Sequence, residues 1–315
     1  MKIAFHSNQL SLRGTEVAIY DYARYNEEYL GNDSMVLARH PDVWEHSHPS
    51  AIENFKKRFP VFFYHDFKEV EKILDDNQVD VFYAIKAGMN DGVVSKNRKS
   101  VNHIVFQYNE PHGDVYAYVS EWLGNRYRSP FVPHMVTLPD INEDLRTELN
   151  IPKDAIVFGR HGGADTFDVP FAHEAVIEIA KRRDDIYFLF LYTNRFTEPS
   201  QKNVIYLDGN QDLVHKTKFI NTCDAMLHAR RVGETFGLAV AEFSIRNKPV
   251  ITKTSGNREN AHIQMLGNKG IYYNDQRELL IILDTFTPNP TKDWNAYRDY
   301  NPETVMDKFK AVFLT

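Results

Sequence analysis

The stretch that decides the fold is Asp224–Glu242, with the sequence DAMLHARRVGETFGLAVAE. Its first residues form a short apolar run typical of a buried strand, and apolar residues recur at helical spacing from Phe236 to Arg246. A loop that contains Gly233 joins the two. The start of such a helix presents unpaired backbone N–H groups and the positive end of the helix dipole. The stretch therefore predicts a strand, a loop and a helix whose N-terminus binds an anion such as a diphosphate.

Two carboxylates, Glu234 and Glu242, frame this loop and helix. One interpretation is structural: a carboxylate in the first turn that favours the helix dipole, and a solvated carboxylate further along. The other interpretation is a ligand site. Gly237 favours the second, because it is small at a point where the backbone must approach a ligand.

The same alternation of short apolar runs and helical patterns extends outward from this stretch. It predicts parallel sheets covered by helices, with right-handed crossovers. In the second half we predict strands at 155–158, 186–191, 204–207, 225–227, 249–252 and 271–273, and helices at 171–181, 213–221, after 236 and at 277–283. In the first half we predict strands at 2–5, 34–38, 61–64, 79–84 and 102–107, and helices over 18–29, capped by Thr15, and over 67–74.

A charged segment with two prolines interrupts the alternation in the middle of the chain. We therefore place a Rossmann-like domain at 1–138, a linker at 139–152, a second such domain at 153–300 and a terminal helix at 301–315. The predicted fold class is α/β, with two doubly wound domains facing a central cleft. Open sheets of this kind bind ligands outside the carboxyl ends of their strands.

Composition narrows the function classes. The 315 residues are 43% hydrophobic and 25% charged, with a net charge of −6, so the basic field needed for nucleic acid is missing. Cys223 is the single cysteine, which excludes an internal disulfide and favours a reducing compartment. The N-terminus turns polar too early for a signal peptide. We predict a cytoplasmic protein.

The segment 233–252 resembles the signature of retaining GT-B glycosyltransferases, in particular glycosyltransferase family 4. The resemblance includes Gly233–Phe243, with the sequence GETFGLAVAEF, and the strand that begins with Asn247-Lys-Pro-Val. Outside it, Ile156–Arg160 is similar to the first strand of the family's donor domain, and the run from Arg13 to Ala18 is similar to its N-terminal loop and first helix.

The resemblance implies roles for these residues. Glu234 would hold hydroxyls of the donor sugar, Glu242 would take the ribose hydroxyls, and Arg160 would contact the donor phosphates. The family's lysine after this arginine is missing, since no lysine occurs before Lys181. His161 and Gly162 are candidate substitutes, and Arg230 and Arg231 are alternative cations. The remaining implied donor-binding residues around the helix start are Thr235, Phe236, Gly237 and Leu238.

In the first domain, His112 follows a predicted strand at the position where the family carries a histidine near the reacting sugar. The alternative is a loop histidine without a role. Gly14 and Thr15 lie where a helix N-terminus would approach the diphosphate, or they form a plain turn and cap. Lys86–Gly88 is a weaker candidate for contact with the acceptor.

The implied activity is metal-independent transfer of a sugar from a nucleoside-diphosphate sugar, with UDP or GDP, to an acceptor hydroxyl on a glycan, a lipid or a small molecule. The alternatives are a non-catalytic nucleotide-sugar binding protein, and a phosphorylase or epimerase of related fold. No Gly-x-Gly-x-x-Gly follows the first strand, which argues against a nicotinamide or flavin enzyme.

Two further clusters have simpler interpretations. His40, His46 and His48 lie near acidic residues, but their spacing matches no structural zinc pattern, so we predict a polar loop and no metal. The aromatic and basic residues of 55–63 form either a solvated helix end or a weak peripheral contact with an anionic membrane.

Overall fold

The computed structural model describes residues 1–198, 201–209 and 212–315, and the chain divides into two compact units. The first unit consists of Met1–Met135 together with Asp299–Thr315, and the second of Val136–Arg298. Each is built on a parallel sheet of six strands. The terminal segment belongs to the first unit although it follows the second in the sequence.

The first unit alternates strands and helices. Its strands are β1 (Lys2–Ser7), β2 (Asp33–Arg39), β3 (Val61–Tyr64), β4 (Val81–Lys86), β5 (Lys99–Ile104) and β6 (Val115–Tyr118). Its helices before the second unit are α1 (Gly14–Glu28), α2 (Pro49–Lys56), α3 (Val70–Asp76) and α4 (Glu121–Tyr127). The strand order is β3-β2-β1-β4-β5-β6. This is the doubly wound order, and its direction reverses between β1 and β4.

The second unit repeats this plan. Its sheet contains β7 (Ile156–His161), β8 (Ile186–Leu191), β9 (Val204–Leu207), β10 (Ala225–His228), β12 (Val250–Lys253) and β14 (Gly270–Tyr273), and the short strands β11 (Gly233–Glu234) and β13 (Glu259–Asn260) pair separately. Its helices are α5 (Pro170–Arg182), α6 (Leu213–Thr222), α7 (Leu238–Ile245), α8 (Ala261–Leu266) and α9 (Gln276–Thr285). The order β14-β12-β10-β7-β8-β9 reverses between β7 and β10.

The predicted alternation is confirmed, with corrections near the edges. The strand predicted at 102–107 lies at Lys99–Ile104, and β6, α2 and α4 were not predicted because each is short. The prediction that Thr15 caps α1 is wrong. The helix begins at Gly14 with Arg13 at the N-cap, and no side chain caps it.

The terminal helix α10 (Pro302–Phe309) packs on the sheet of the first unit. Asn301 caps it, and a further helical turn covers Lys310–Leu314. The ring of Phe309 is fully buried, with its centroid 5.4 Å from those of Tyr22 and Tyr83. Phe313, also buried, lies 5.6 Å from Tyr83. The predicted apolar face of this segment is therefore a core face of the first unit.

Residues 55–63 favour the solvated helix end over membrane contact. Phe55 and Phe59 are buried, and their ring centroids lie 5.3 and 5.4 Å from that of Tyr20. The cations between them, 56–58, are exposed at the end of α2. Over the described parts of the chain, the helices are too short or too polar to cross a membrane.

Candidate active site

The reversal point of the second sheet collects polar side chains. β7 and β10 pair in parallel through Phe158 and Gly159, so their carboxyl ends lie side by side. Arg160 and His161 end the first of these strands and His228 ends the second. In doubly wound sheets this crevice is where ligands bind.

Glu234 is held at this edge by two bases. Its Oε2 accepts a hydrogen bond of 2.6 Å from Arg230, and its Oε1 lies 3.3 Å from Nε2 of His228. Burial alone would raise the pKa of Glu234, but the hydrogen bond from His228 and the charge of Arg230 lower it to about 2. Glu234 is therefore an ionised hydrogen-bond acceptor at neutral pH, which suits it to hold hydroxyl groups and makes it a poor proton donor.

A chain of neutral groups lies behind Glu234. His262 is fully buried, and burial lowers its pKa to about 3. Its Nε2 is 3.2 Å from Oγ1 of Thr252, which is 2.8 Å from Nδ1 of His228. With His262 as the first donor, every hydrogen bond in this chain donates toward Glu234. This direction requires the His228 tautomer that donates from Nε2.

Helix α7 begins directly over Glu234. Gly237 is its N-cap, with a φ of 87° in the left-handed region. A Cβ at this position would lie 3.3 Å from both Cβ and Cγ of Glu234. The first turn of α7 directs backbone N–H groups out of its N-terminus, where an intrahelical partner is missing. Thr235 and Leu238 are half-buried beside it, whereas Phe236 is buried and its carbonyl accepts from Tyr297 at 3.0 Å.

Arg160 serves as a clamp in this structure. Its Nη1 donates to the carbonyl of Tyr192 at 3.3 Å and to Oγ1 of Thr193 at 2.5 Å. Its Nη2 donates to the carbonyl of Gly163 at 2.7 Å and to Oγ1 of Thr166. Burial lowers its pKa to about 10. The guanidinium thus ties together the loops after β7 and β8.

His161 and Gly162 have separate positions in this loop. Gly162 has a φ of 144°, and a Cβ there would lie 3.1 Å from Nη2 of Arg160. His161 turns to the other carboxylate: its Nε2 lies 3.0 Å from Oε2 of Glu242. Burial lowers the pKa of His161, and the charge of Glu242 opposes this shift.

Glu242 is buried within α7 and ionised. Besides His161, its Oε1 accepts a hydrogen bond of 2.7 Å from Lys216 on α6. Burial would raise the pKa of Glu242, but the charge of Lys216 and contact with His161 lower it to about 2. Each carboxylate oxygen has a second lone pair, which leaves acceptor capacity for ligand hydroxyls.

The Glu242 pair predicts acid-dependent stability. A carboxylate whose pKa falls from 4.5 to about 2 on folding stabilises the native state above pH 4.5, and this contribution disappears as the pH falls toward 2. We expect Glu242→Gln to lower the free energy of unfolding by about 2–3 kcal/mol at pH 7. The loss should shrink to about a quarter of that value at pH 2.5. Urea unfolding at both pH values measures it, with exposed Glu174→Gln as control. An equal loss at both would contradict the assignment.

The first unit has its own polar group at the carboxyl end of β4. Lys86 is buried, forms an ion pair with Asp91 and donates a hydrogen bond of 2.9 Å to Nε2 of His112. His112 Nδ1 lies 2.5 Å from the carbonyl of Glu110. Both imidazole nitrogens of His112 are therefore engaged by neighbouring groups. A role for His112 beside a reacting sugar stays a prediction.

Gly14 and Thr15 open α1 and are exposed and half-buried. Behind them the buried carboxylate of Glu16 accepts hydrogen bonds from the hydroxyls of Ser7, at 3.0 Å, and Ser11. Burial raises the pKa of Glu16 against these hydrogen bonds. An internal carboxylate therefore already occupies this helix N-terminus. The predicted diphosphate contact of Gly14 and Thr15 stays a prediction.

The histidine cluster of the first unit is rearranged relative to the prediction. His48 caps α2, and His46 packs against Trp44. His40 instead stacks on His65, with centroids 4.4 Å apart, and together with Asp42 these two offer donor atoms within 4.8 Å of one another. This group, half-buried to exposed, is capable of holding a metal ion.

Sequence reasoning missed four of the polar residues of the second unit. His228 carried a usable signal, because it is polar, ends an apolar strand and precedes the glutamate loop. Thr252, His262 and Lys216 carried none, since they come from other elements and reach the site only through the fold.

Comparison with known proteins identifies the type of fold. No family model matches the sequence, and no curated protein matches it. Among solved structures, Anabaena Alr3699/HepE, crystallised with UDP and glucose, aligns with a TM-score of 0.72 at 14% identity and covers 100% of both chains. A glycosyltransferase from Rickettsia africae ESF-5 aligns with a TM-score of 0.68 at 14% identity, over 98% of this chain and 94% of that one.

A third similar structure is that of an enzyme of another class. It is a putative UDP-N-acetylglucosamine 2-epimerase from Listeria monocytogenes, with a TM-score of 0.64 at 11% identity, over 99% of this chain and 95% of that one. At these identities the likeness establishes the architecture. The chain has the α/β fold of the GT-B type, with two doubly wound domains, as its sequence predicted.

Proposed function

We propose that the protein is a retaining glycosyltransferase that moves a sugar from a UDP- or GDP-sugar to an acceptor hydroxyl without a metal ion. The observation that carries the proposal is the placement of Glu234 and Glu242 on either side of the α7 N-terminus, at the reversal point of the second sheet. Hydroxyl-holding carboxylates beside a cluster of donors fit a ligand that joins sugars to a diphosphate.

In this proposal each carboxylate binds one of the two sugars of the donor, the ribose or the transferred sugar. Glu242, deep in α7, accepts from the ribose hydroxyls of the nucleotide with the lone pairs that Lys216 and His161 leave open. Glu234 accepts from hydroxyls of the transferred sugar. The amides at the start of α7 bind the diphosphate, which lies between the two sugars. Arg160 fixes the conformation of the loop that contains His161 and Gly162.

The proposed step conserves the configuration of the sugar. The bond between C1 and the phosphate oxygen breaks, the acceptor oxygen bonds to C1 on the same face, and the acceptor proton passes to the departing phosphate oxygen. Negative charge grows on the diphosphate, and preorganised N–H donors at α7 stabilise it. A separate side-chain base is unnecessary, which agrees with the two glutamates, since carboxylates whose pKa values are lowered to about 2 are weak bases.

The acceptor side is assigned to the first unit. We propose that His112 contacts the reacting sugar and that Gly14 and Thr15 contact the diphosphate. Lys86 holds the imidazole of His112 in place, so His112 contributes through hydrogen bonding and shape. The proposal includes a cytoplasmic location, in keeping with the single buried thiol of Cys223.

A screen of nucleotides and donors tests the function. A ligand that binds the native state alone raises the melting temperature, by an amount that grows with its concentration above Kd. We expect UDP or GDP to raise it, and AMP, used as the control, to leave it unchanged. Donors of the stabilising nucleotide are then incubated with mixed acceptors and the released nucleotide is measured. A chain that binds neither diphosphate would contradict the proposal.

An epimerase is the second candidate, because one similar structure is described as such an enzyme. The two activities differ in what they need. Interconversion of the donor sugar without an acceptor, with the nucleotide still attached, would identify an epimerase. Release of nucleoside diphosphate that depends on an acceptor would identify a transferase.

A further inference from the structure

We propose that Arg230 is the side chain that binds the donor diphosphate, and that it leaves Glu234 to do so when the donor enters. This inference rests on the proposed function and assigns a cation to its site. It replaces Arg160, the arginine that the sequence resemblance favoured, and it fills the position left open by the missing lysine.

Arg160 already uses both terminal nitrogens of its guanidinium within the protein. Its two terminal nitrogens carry four hydrogens, and they make four hydrogen bonds to neutral protein oxygens. Its side chain is buried, with the residue 3% exposed. To grip a phosphate with these nitrogens, Arg160 would have to release the loops after β7 and β8.

Arg230, by contrast, is partly exposed at the same edge of the sheet. Its side chain is 23% exposed, and within the described part of the chain the guanidinium has Glu234 as its hydrogen-bonding partner. It sits two residues beyond β10, at the edge of the sheet where the N-terminus of α7 opens. A turn in which Gly233 N–H donates to the Arg230 carbonyl, at 3.3 Å, brings the arginine back toward Glu234.

Glu234 does not depend on Arg230 alone for its hydrogen bonds. Oε1 keeps its contact with His228, which the buried Thr252 and His262 hold in orientation. Oε2 is the oxygen that Arg230 occupies. A sugar hydroxyl donating to Oε2 would take the place of the guanidinium, which then turns to the diphosphate. The exchange converts an internal ion pair into two ligand contacts: the guanidinium pairs with the diphosphate, and the carboxylate keeps its contact with His228 and gains a hydrogen bond from the sugar hydroxyl.

The test compares Arg230→Gln with its neighbour Arg231→Gln. Arg231 is exposed, and its backbone N–H, not its side chain, donates to Asp168 at 2.7 Å. The full-length proteins are titrated by calorimetry with UDP and with GDP, and the tighter of the two is used. Binding of the matching nucleoside, uridine or guanosine, is measured by saturation-transfer NMR.

We expect Arg230→Gln to weaken binding of the nucleoside diphosphate about 10- to 100-fold, as expected for loss of a charged hydrogen-bonding partner. Binding of the nucleoside should change less than about 2-fold, and Arg231→Gln should bind both ligands like wild type. Unchanged diphosphate affinity in Arg230→Gln, or an equal loss for the nucleoside, would overturn the assignment and leave the proposed function standing. A wild type that binds neither diphosphate would overturn both.

Glu234→Gln gives a second measurement on the same exchange. If Glu234 restrains Arg230, removing its charge should tighten binding of the bare diphosphate, by several-fold on the scale of charged pairs. The gain should disappear in the double variant that also carries Arg230→Gln, because the released cation is gone. A gain that persists in the double variant would show that Glu234 acts by repulsion alone, and would overturn the exchange.

Discussion

Replacing Glu234 by glutamine is expected to lower the rate of sugar transfer about 100- to 1,000-fold, while the protein remains folded. The amide keeps the shape of the side chain, so it still accepts from His228, but it loses the charge that holds Arg230 and the donor hydroxyls. The variant should lose activity mainly in kcat. Positive charge grows on the sugar as the transition state forms, so a carboxylate binds the sugar hydroxyl most tightly in that state. Initial rates of nucleotide release at several donor concentrations measure it.

The matched control is Glu174→Gln, an exposed glutamate of α5 in the same unit. It should keep wild-type rates. The melting temperature of Glu174→Gln should stay close to that of the wild type. That of Glu234→Gln should be lower, with the fold kept, because a carboxylate whose pKa is lowered to about 2 on folding contributes stability at neutral pH. Undiminished transfer by folded Glu234→Gln would reject the site assignment. Glu234→Ala should show at least the same loss.

Phe309→Ala is expected to lower the free energy of unfolding of the first unit by about 4 kcal/mol. The ring is fully buried, and its centroid lies 5.0 to 6.3 Å from the rings of Phe5, Tyr22, Tyr83 and Phe313. Truncation to alanine removes these contacts and leaves a cavity that the sheet cannot collapse to fill. Native-state hydrogen exchange of the amides in β1 and β4 measures the loss.

Val312→Ala is the control for this prediction, since it lies in the following turn and is half-buried. It should cost about 1 kcal/mol or less. Equal effects of the two variants would contradict a specific docking of Phe309. The amides of the second sheet should keep their protection in both, because the terminal segment belongs to the first unit.

The alternation of strands and helices could be predicted because parallel strands buried on both faces must be continuous apolar runs. The strands at Val61–Tyr64, Ile186–Leu191 and Val204–Leu207 have the predicted bounds. Short strands and the exact ends of helices were harder to predict, since β6 has only four residues and the beginning of α1 lacks a side-chain cap. The short polar helix α2 has little periodicity to detect, although His48 and Pro49 mark its start.

The candidate site divides in the same way. Glu234, Gly237 and Glu242 were found because they are neighbours along one loop and helix, so their spacing is a local property of the chain. The residues that contact them from other elements were not found, because Lys216 comes from α6 and His262 from α8. Arg160 was identified as a site residue, but its four protein hydrogen bonds were not, since they depend on where the loops after β7 and β8 end.

By itself, then, the sequence determined the doubly wound architecture and the loop and helix that carry the two glutamates, because both follow from local periodicity and from residues close together in the chain. Tertiary structure alone decided which arginine has both terminal nitrogens bonded to neutral protein oxygens and which is paired with Glu234. From the sequence, Arg160 and Arg230 are both candidates to bind a phosphate. In the structure Arg160 is buried and hydrogen-bonded to Gly163, Thr166 and Thr193, whereas Arg230 lies at the edge of the sheet. Tertiary structure also decided that the last seventeen residues, Asp299–Thr315, belong to the first unit, since packing partners distant in sequence leave no mark on the segment itself.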